Sequence, residues 1–208
     1  MTLLLIRHGE TPLNVARVLQ PAATPLSVTG QAQAEALARW LQAHSSLRPA
    51  AIVSSDLPRA WLTAQTIAKA CGLPVLSSPL LHERNFGDLR GQPYDRLGFD
   101  PLAADEAPPR GESRAEFAAR CDVAWAWVLG QYGALGGPLA VVSHGLVIKH
   151  WLQQGGLLWP AGLAAPDRLA NTSLSVVDAQ PPHAVRQVDS TAHLVGGVGQ
   201  DAGSLSGG

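Results

Sequence analysis

The sequence predicts an α/β fold, a three-layer α/β/α sandwich with a mostly parallel central sheet and a small lid insertion. Short apolar runs alternate along the chain with longer stretches in which apolar residues recur at helical spacing. Such alternation is typical of strands that form a largely parallel sheet and of helices that cover it. The length of 208 residues suits one domain with a sizeable core. We therefore expect a single domain over residues 1–194.

The strand candidates are short apolar runs. They are Leu3–Ile6, Ala51–Val53, Leu139–Val142 and Leu174–Val177, with Val75–Leu76 as a weaker candidate. In an open α/β sheet, ligands bind beyond the carboxyl ends of the strands. The residues that follow these runs are therefore the first place to look for a functional site.

The helix candidates are sets of residues at helical spacing, and each set marks one buried helix face. The sets are Leu37, Trp40, Leu41 and His44; Ala60, Ala64, Ile67, Ala68 and Cys71; and Phe117, Cys121, Trp125 and Val128. Ser113 and Glu116 have the spacing of a capping box, in which each side chain satisfies the other's backbone amide. A helix is therefore predicted to begin at about Ser113, and another is predicted over residues 145–154.

Two segments lack regular patterning. Residues 84–112 are interrupted by Gly and Pro and show no clear strand, and so long an irregular stretch within one domain is usually functional. We expect this 84–112 segment to form a lid over the active site. Residues 195–208 are rich in Gly and poor in large apolar groups, so burial cannot offset their ordering entropy. This tail is predicted to be disordered.

Composition limits the partners that the chain is expected to have. Fifteen Lys and Arg oppose sixteen Asp and Glu for a net charge of -1, so no overall field attracts nucleic acid or an anionic membrane. No apolar run approaches the ~18 residues of a membrane helix, and the first residues lack a basic leader. Cys71 and Cys121 fall in apolar helical patterns, where a thiol behaves as a small hydrophobe. We expect a cytoplasmic protein with reduced cysteines and with neither nucleic acid nor membrane as a partner.

Basic and imidazole side chains follow three of the predicted strands. The first run ends in Arg7-His8-Gly9, the second leads through Ser54-Ser55-Asp56 to Arg59, and the third ends in Ser143-His144-Gly145. The planar fork of arginine matches a phosphate or carboxylate and keeps its charge. Two arginines without an acidic partner indicate a bound dianion. Taken singly, Arg7 also fits a strand-end charge, Arg59 a solvated helix residue and His144 a core histidine.

The histidine between these arginines has three candidate roles: metal ligand, general base, or nucleophile that attacks phosphorus. The chain has no ligand-spaced cluster such as HExxH or CxxC, so a metal site is the weakest of the three. An imidazole nucleophile flanked by guanidinium groups supplies the positioning and charge neutralisation that phosphoryl transfer needs. We therefore expect no metal and no cofactor.

Six motifs then carry a resemblance to a known family. They are RHGETPLN at 7–14, TPLSVTGQAQA at 24–34, SSDLPRAWLTAQT at 54–66, LHERNFGDLRG at 81–91, GES at 111–113 and SHG at 143–145. In this order they resemble the histidine phosphatase superfamily, which includes cofactor-dependent phosphoglycerate mutases and many phosphatases. The resemblance spans residues 2 to about 194, which is nearly the whole chain.

The resemblance implies a role for each matching catalytic residue. His8 matches the nucleophile that becomes phosphohistidine, and Arg7, Arg59 and His144 match the groups that hold the phosphoryl oxygens. Glu83 matches the proton donor, which later draws a proton from the hydrolytic water. Burial of this carboxyl would help it to hold its proton. We also expect His8 to be fixed in one tautomer by a hydrogen bond from its other nitrogen to a backbone carbonyl.

Four further residues are candidate substrate contacts. The resemblance implies that Asn14 contacts phosphate oxygens, and Thr11 offers a hydroxyl on the same loop. The amide of Gly145, at the start of the predicted helix, would add a donor to the anion. Arg84, directly after the acid, is expected to bind a second anionic group of the substrate.

The sequence favours a phosphatase that acts on a small phosphorylated metabolite. The segment between the acid and the second histidine is short and acidic, whereas the family's mutases carry a longer, more basic one. The PPRGES stretch at 108–113 resembles the phosphatase branch. A phosphoglycerate mutase, a phosphatase of phosphopeptides and a catalytically silent phosphate-binding protein stay open as alternatives. Family members are often dimers, so a homodimer is one option that no motif here decides.

Overall fold

A six-stranded sheet forms the centre of the computed structural model, which describes residues 2–133, 136–153 and 156–194. The strands are β1 (Thr2–Arg7), β2 (Ala51–Ser54), β3 (Val75–Ser77), β4 (Leu139–Ser143), β5 (Leu174–Asp178) and β6 (Val185–Ser190). The five strands expected from the apolar runs are confirmed, each extended by one residue at one or both ends. Strand β6 was missed because its sequence, VRQVDS, contains no run of apolar residues.

The strand order is β3-β2-β4-β1-β5-β6. The pairs β3/β2, β2/β4 and β4/β1 are parallel, while β5 pairs antiparallel with β1 on one side and β6 on the other. Only β5 therefore runs against the rest, and the expectation of a mostly parallel sheet is confirmed. The carboxyl ends of β2, β4 and β1 lie side by side at one edge, which positions the loops that follow them.

The helices cover both faces of this sheet. They are α1 (Pro12–Val15), α2 (Val28–Ala43), α3 (Pro58–Cys71), α4 (Arg114–Tyr132) and α5 (Gly145–Gln153). One core joins α2 and α3 to the face of β1 that carries Leu4 and Ile6, and a second joins α4 and α5 to the face that carries Leu3 and Leu5. Alternate β1 side chains thus enter two cores, because successive strand residues point to opposite faces. The three-layer α/β/α architecture is confirmed.

Two residues assigned to buried helix faces are less buried than expected. His44 is exposed and caps the end of α2. Cys71, the last residue of α3, is half-buried and packs against the core between α2, α3 and the sheet. Cys121 is buried, and both cysteines are free thiols. No helix within residues 2–133, 136–153 and 156–194 is long and apolar enough to cross a membrane.

The start of α4 is the capping box that the sequence predicts. The Ser113 hydroxyl accepts a hydrogen bond from the Glu116 amide at 3.1 Å, and the Glu116 carboxylate accepts one from the Ser113 amide at 2.8 Å. Both orphan amides at this helix end are thereby satisfied.

Replacing Ser113 with alanine should lower the free energy of unfolding by about 1 kcal/mol, because the first turn of α4 loses its side-chain acceptor. Urea unfolding monitored by circular dichroism measures the change. Glu116→Gln keeps an acceptor for the Ser113 amide and should cost less. Unchanged stability in Ser113→Ala would contradict this account of the helix start.

The 84–112 segment folds as turns and short 3₁₀ helices, among them Gly87–Leu89 and Tyr94–Arg96, without a named strand. Its side chains Phe86 and Tyr94 form a small apolar cluster with Leu19, and Leu146 of α5 packs against that cluster. The segment therefore lies between the loop after β1 and the start of α5. The predicted disordered tail, residues 195–208, falls outside the described residues.

Candidate active site

The sheet brings the predicted residues after β1, β4 and β2 to one place. Arg7 pairs in register with Ser143, and Val142 pairs with Ser54, so His8, His144 and Ser55 follow neighbouring strands. The His8 and His144 rings lie 5.2 Å apart between centroids, in an edge-to-face arrangement. Both histidines are fully buried. The two imidazoles are therefore held together by the rigid part of the fold.

His8 is fixed in one tautomer, as the sequence predicted. Its Nδ1 lies 2.7 Å from the carbonyl oxygen of Gly9. Because a carbonyl oxygen can only accept, Nδ1 must carry the proton, and the lone pair of the neutral ring is on Nε2. The backbone of His8 is also held, since its carbonyl accepts hydrogen bonds from Asn171 Nδ2 at 3.0 Å and from the Thr172 amide at 3.2 Å.

Arg59 is a buried cation, and two of its nitrogens have no partner within the described residues. It is 2% exposed, and its Nε and Nη1 have no hydrogen-bond acceptor among the described residues. Burial, together with repulsion from Arg90 and Arg7, lowers the pKa of Arg59 to about 10. A buried guanidinium is costly unless an anion pairs with it. The side chain therefore marks a place prepared for an anion.

Arg7 approaches the same place from β1. Its side chain is fully buried, and its Nη1 donates a hydrogen bond to the carbonyl oxygen of Leu169. Its charge, after burial and the charge of Arg90, contributes to the lowered pKa of Arg59. Two like charges buried near one another are stabilised by a ligand of high negative charge.

His144 is a buried imidazole that resists protonation. Burial, and after it the charge of Arg59, hold the pKa of this imidazole well below the usual range. Its Nε2 lies 2.9 Å from the Ser55 hydroxyl, and its Nδ1 is buried with no partner in the described part of the chain. If Ser55 donates to Nε2, Nδ1 carries the ring proton and is a hydrogen-bond donor. Sequence reasoning gave Ser55 no role, although it directly follows β2.

Glu83 is a buried carboxyl at 4% exposure. Its two oxygens accept hydrogen bonds from the Arg84 amide at 2.9 Å and from the Leu146 amide, in the first turn of α5, at 3.1 Å. Burial raises the pKa of Glu83, while those two amides and the charges of Arg59 and Arg7 oppose the rise. The carboxyl therefore holds its proton to higher pH than an exposed glutamate.

Thr11 and Asn14 shape the loop after β1. They form a capping box at the start of α1, and the Thr11 hydroxyl donates to Gln20 Oε1 at 2.9 Å. The single hydroxyl proton of Thr11 is thus used within the loop. Asn14 Oδ1 accepts from the Thr11 amide at 3.1 Å and from Asn171 Nδ2 at 3.3 Å. Their contacts favour a role in holding the loop, and their predicted phosphate contacts stay predictions.

Arg84 has partners that the sequence did not reveal. Its Nε donates to the carbonyl of Glu112 at 3.2 Å, and its Nη2 donates to the carbonyls of Ala104 at 2.8 Å and Glu106 at 3.3 Å. The guanidinium also lies over the Phe86 ring at 5.5 Å. These contacts anchor the 84–112 segment. Arg84 also lines the large cavity beside the acid, and its predicted contact with a second substrate anion stays a prediction.

Gly145 begins α5, as the sequence predicted, and is buried. The helix N-terminus does bind a carboxylate, but through the next amide: Leu146 donates to Glu83. The predicted phosphate contact of the Gly145 amide stays a prediction.

A cavity of about 840 Å³ is lined by residues of the 84–112 segment, α4 and α5. Its wall includes Arg84 and Leu146, the two residues whose amides bind the Glu83 carboxyl. It also includes the cations Arg17, Lys149 and Arg168. The cavity therefore lies on the side of the acid and is larger than a phosphate group requires. Within the described ranges, no cluster of three or more His, Cys, Asp or Glu side chains could hold a metal ion.

Comparison with known proteins identifies relatives of the whole chain. The family model of the histidine phosphatase superfamily (branch 1) matches residues 3–188. A probable phosphoglycerate mutase GpmB of Yersinia enterocolitica is 34% identical over 212 residues, covering 91% of this chain and 93% of the relative.

Solved structures share the fold. A mycobacterial glucosyl-3-phosphoglycerate phosphatase in complex with VO3 is 31% identical with a TM-score of 0.71, covering 91% of this chain and 97% of the other. The α-ribazole phosphatase of Shigella flexneri is 27% identical with a TM-score of 0.73, covering 92% and 97%. A mutant phosphoserine phosphatase of Entamoeba histolytica, in complex with phosphoserine, is 25% identical with a TM-score of 0.74, covering 93% and 99%.

Proposed function

The chain belongs to the histidine phosphatase superfamily, branch 1, and on that premise we propose that it is a metal-independent phosphomonoesterase for a small phosphorylated metabolite. The observation that carries the proposal is the buried guanidinium of Arg59, with unpaired nitrogens in the described structure, close to the charge of Arg7 and to His144. Such a site matches the dianionic phosphoryl group. The adjoining cavity of about 840 Å³ gives room for the leaving group.

The chemistry follows from the protonation states. His8 Nε2 carries the lone pair and attacks phosphorus. Arg7 and Arg59 neutralise the charge on the phosphoryl oxygens, and His144 Nδ1 donates a hydrogen bond to them. The bond from phosphorus to the ester oxygen breaks, and Glu83 gives its proton to that oxygen. The same carboxylate then takes a proton from the water that attacks phosphohistidine, which releases phosphate and restores both groups.

A phosphoglycerate mutase is the second candidate, because a relative at 34% identity carries that name. A mutase would use the same His8 but return the phosphoryl group to another oxygen of the substrate. The solved relatives named above are phosphatases, and the acidic 84–112 segment also favours hydrolysis.

Hydrolysis of an aryl phosphate with EDTA present tests the proposal. Phosphate release under these conditions is the expected result. A panel of phosphoserine, phosphoglycerates and sugar phosphates then ranks substrates by kcat/KM. The mutase would be the better assignment if the protein hydrolysed no substrate but exchanged phosphoglycerate isomers after priming by a bisphosphoglycerate. Phosphate binding with neither reaction would indicate a silent binding protein.

Glu83 makes the reaction depend on pH. The carboxyl must be protonated to donate, and burial raises its pKa, so kcat/KM for phenyl phosphate should fall as pH rises through that raised pKa. The groups that face it are Arg7, Arg59 and Tyr94. Arg59, with a pKa of about 10, keeps its charge through neutral pH.

Replacing Glu83 with glutamine should lower kcat/KM for phenyl phosphate by ~10²–10⁴-fold and remove this descending limb. The pH profiles of both proteins are the measurement. If the descending limb were unchanged in Glu83→Gln, the titrating group would be a residue other than Glu83.

A further inference from the structure

Arg120 and Glu112 form a half-buried ion pair beside the site. Their side chains are 18% and 21% exposed. Arg120 Nε lies 2.7 Å from Glu112 Oε1, and Nη2 lies 2.9 Å from Oε2. Two parallel bonds of this kind fix the plane of the guanidinium as well as its position. Arg120 belongs to α4, so the plane is set relative to the helix layer.

The remaining donors of Arg120 go to the segment that carries the acid. Its Nη1 donates to the carbonyls of Leu80 at 2.9 Å and His82 at 2.8 Å, and its Nη2 reaches the carbonyl of Glu83 itself at 3.4 Å. One side chain thus binds three carbonyls within four consecutive residues.

Glu112 holds the other side of the same segment. Its Oε2 accepts from the Asn85 amide at 2.8 Å, and its own amide donates to the Asn85 carbonyl at 2.8 Å. Its carbonyl accepts from Arg84 Nε at 3.2 Å. The ion pair therefore binds the backbone on both sides of Glu83.

These hydrogen bonds are needed to fix Glu83 because the backbone around it has no regular structure. Residues 82–86 belong to neither helix nor strand, so no ladder of backbone bonds fixes them. A proton donor must stay within hydrogen-bond reach of the leaving oxygen, and a displacement of 1 Å can cost ~10²-fold in rate.

We propose that Arg120 and Glu112 are positioning residues that align the Glu83 carboxyl with the leaving group. The proposal rests on the proposed function, in which Glu83 is the proton donor. It predicts a loss that depends on the leaving group. Phenolate needs a proton as it departs, whereas dinitrophenolate is stable enough to depend on it much less.

The test compares kcat/KM for phenyl phosphate and 2,4-dinitrophenyl phosphate. This constant covers the steps up to phosphoryl transfer to His8, so the later base role of Glu83 does not enter. In Arg120→Met we expect a fall of ~30–100-fold for phenyl phosphate and less than ~3-fold for dinitrophenyl phosphate. Arg186→Met is the control, because Arg186 also donates through both Nε and Nη2 to one carboxylate, that of Asp178, at the edge of the sheet. It should leave both constants unchanged.

Two further variants keep the test decisive. The double variant Arg120→Met/Glu112→Gln leaves no unpaired carboxylate, and Arg120→Lys keeps the charge without the fork. Both should show the same selectivity for leaving group, with a smaller loss in Arg120→Lys. Equal losses on both substrates in the folded variants, or no loss on either, would overturn the proposal. Wild-type protein that hydrolyses neither substrate would instead contradict the proposed function.

Discussion

Replacing His8 with alanine should abolish turnover, with a fall in kcat of at least ~10³-fold. The substitution removes Nε2, the nitrogen that carries the lone pair in the tautomer fixed by the Gly9 carbonyl. Neighbouring Arg7, Arg59 and His144 would still bind the phosphoryl group, but no atom would accept it. We therefore expect substrate to bind and not to react.

Rapid acid-free quenching followed by mass spectrometry measures the phosphorylated protein directly. The wild type should gain one phosphoryl group on His8, and His8→Ala should gain none. His44→Ala is the control, since His44 is exposed at the end of α2 and should react as the wild type does. Unaltered kcat in folded His8→Ala would refute the covalent mechanism.

Replacing Arg59 with methionine should have opposite effects on activity and stability. Loss of a preorganised cation should lower kcat/KM by ~10²–10³-fold. The same change removes a buried charge whose Nε and Nη1 have no partner in the described structure, so the free energy of unfolding without ligand should rise by about 1–3 kcal/mol. Glu83 would not be left as an unpaired buried anion, because loss of the Arg59 cation raises the pKa of Glu83 further and keeps the carboxyl protonated.

Thermal unfolding with and without inorganic phosphate separates the two effects. Phosphate should raise the Tm of the wild type and leave that of Arg59→Met nearly unchanged. Arg48→Met removes an exposed arginine and should keep the phosphate effect. A less stable Arg59→Met without ligand, or an undiminished phosphate effect, would show that Arg59 is not held ready for an anion.

The sequence predicted the strands that are buried on both faces. Runs such as Leu139–Val142 are continuous apolar stretches because helices cover the sheet on either side. Strand β6 reads VRQVDS and is half-buried at an edge, so its pattern is too weak to separate from a loop. The other edge strand, β3, is also partly exposed, and its short apolar run was only a weaker candidate.

The part of the candidate site that follows the parallel strands could be predicted from the sequence. Arg7, His8 and His144 follow parallel strands, and the rule about carboxyl ends placed them together. The rule missed Asn171 and Thr172, which hold the His8 carbonyl. They precede β5, and because β5 runs against its neighbours, its beginning meets the same edge of the sheet.

Side-chain direction was not predictable. Arg84 stands beside the acid in the sequence, but its guanidinium turns to the carbonyls of the 84–112 segment. Those acceptors are backbone carbonyl oxygens, which every residue has. The sequence therefore does not indicate which residues will accept from Arg84. Arg120 escaped notice for the same reason, since most of its acceptors are also carbonyls.

The short turn from β4 into α5 carries one residue proposed to bind the phosphoryl group and one that binds the proposed proton donor. His144 stands at its start, and the Leu146 amide that binds Glu83 follows two residues later. Only one residue, Gly145, separates the imidazole from the amide that binds the acid. A change in the backbone of this turn is therefore expected to disturb phosphoryl binding and proton delivery together.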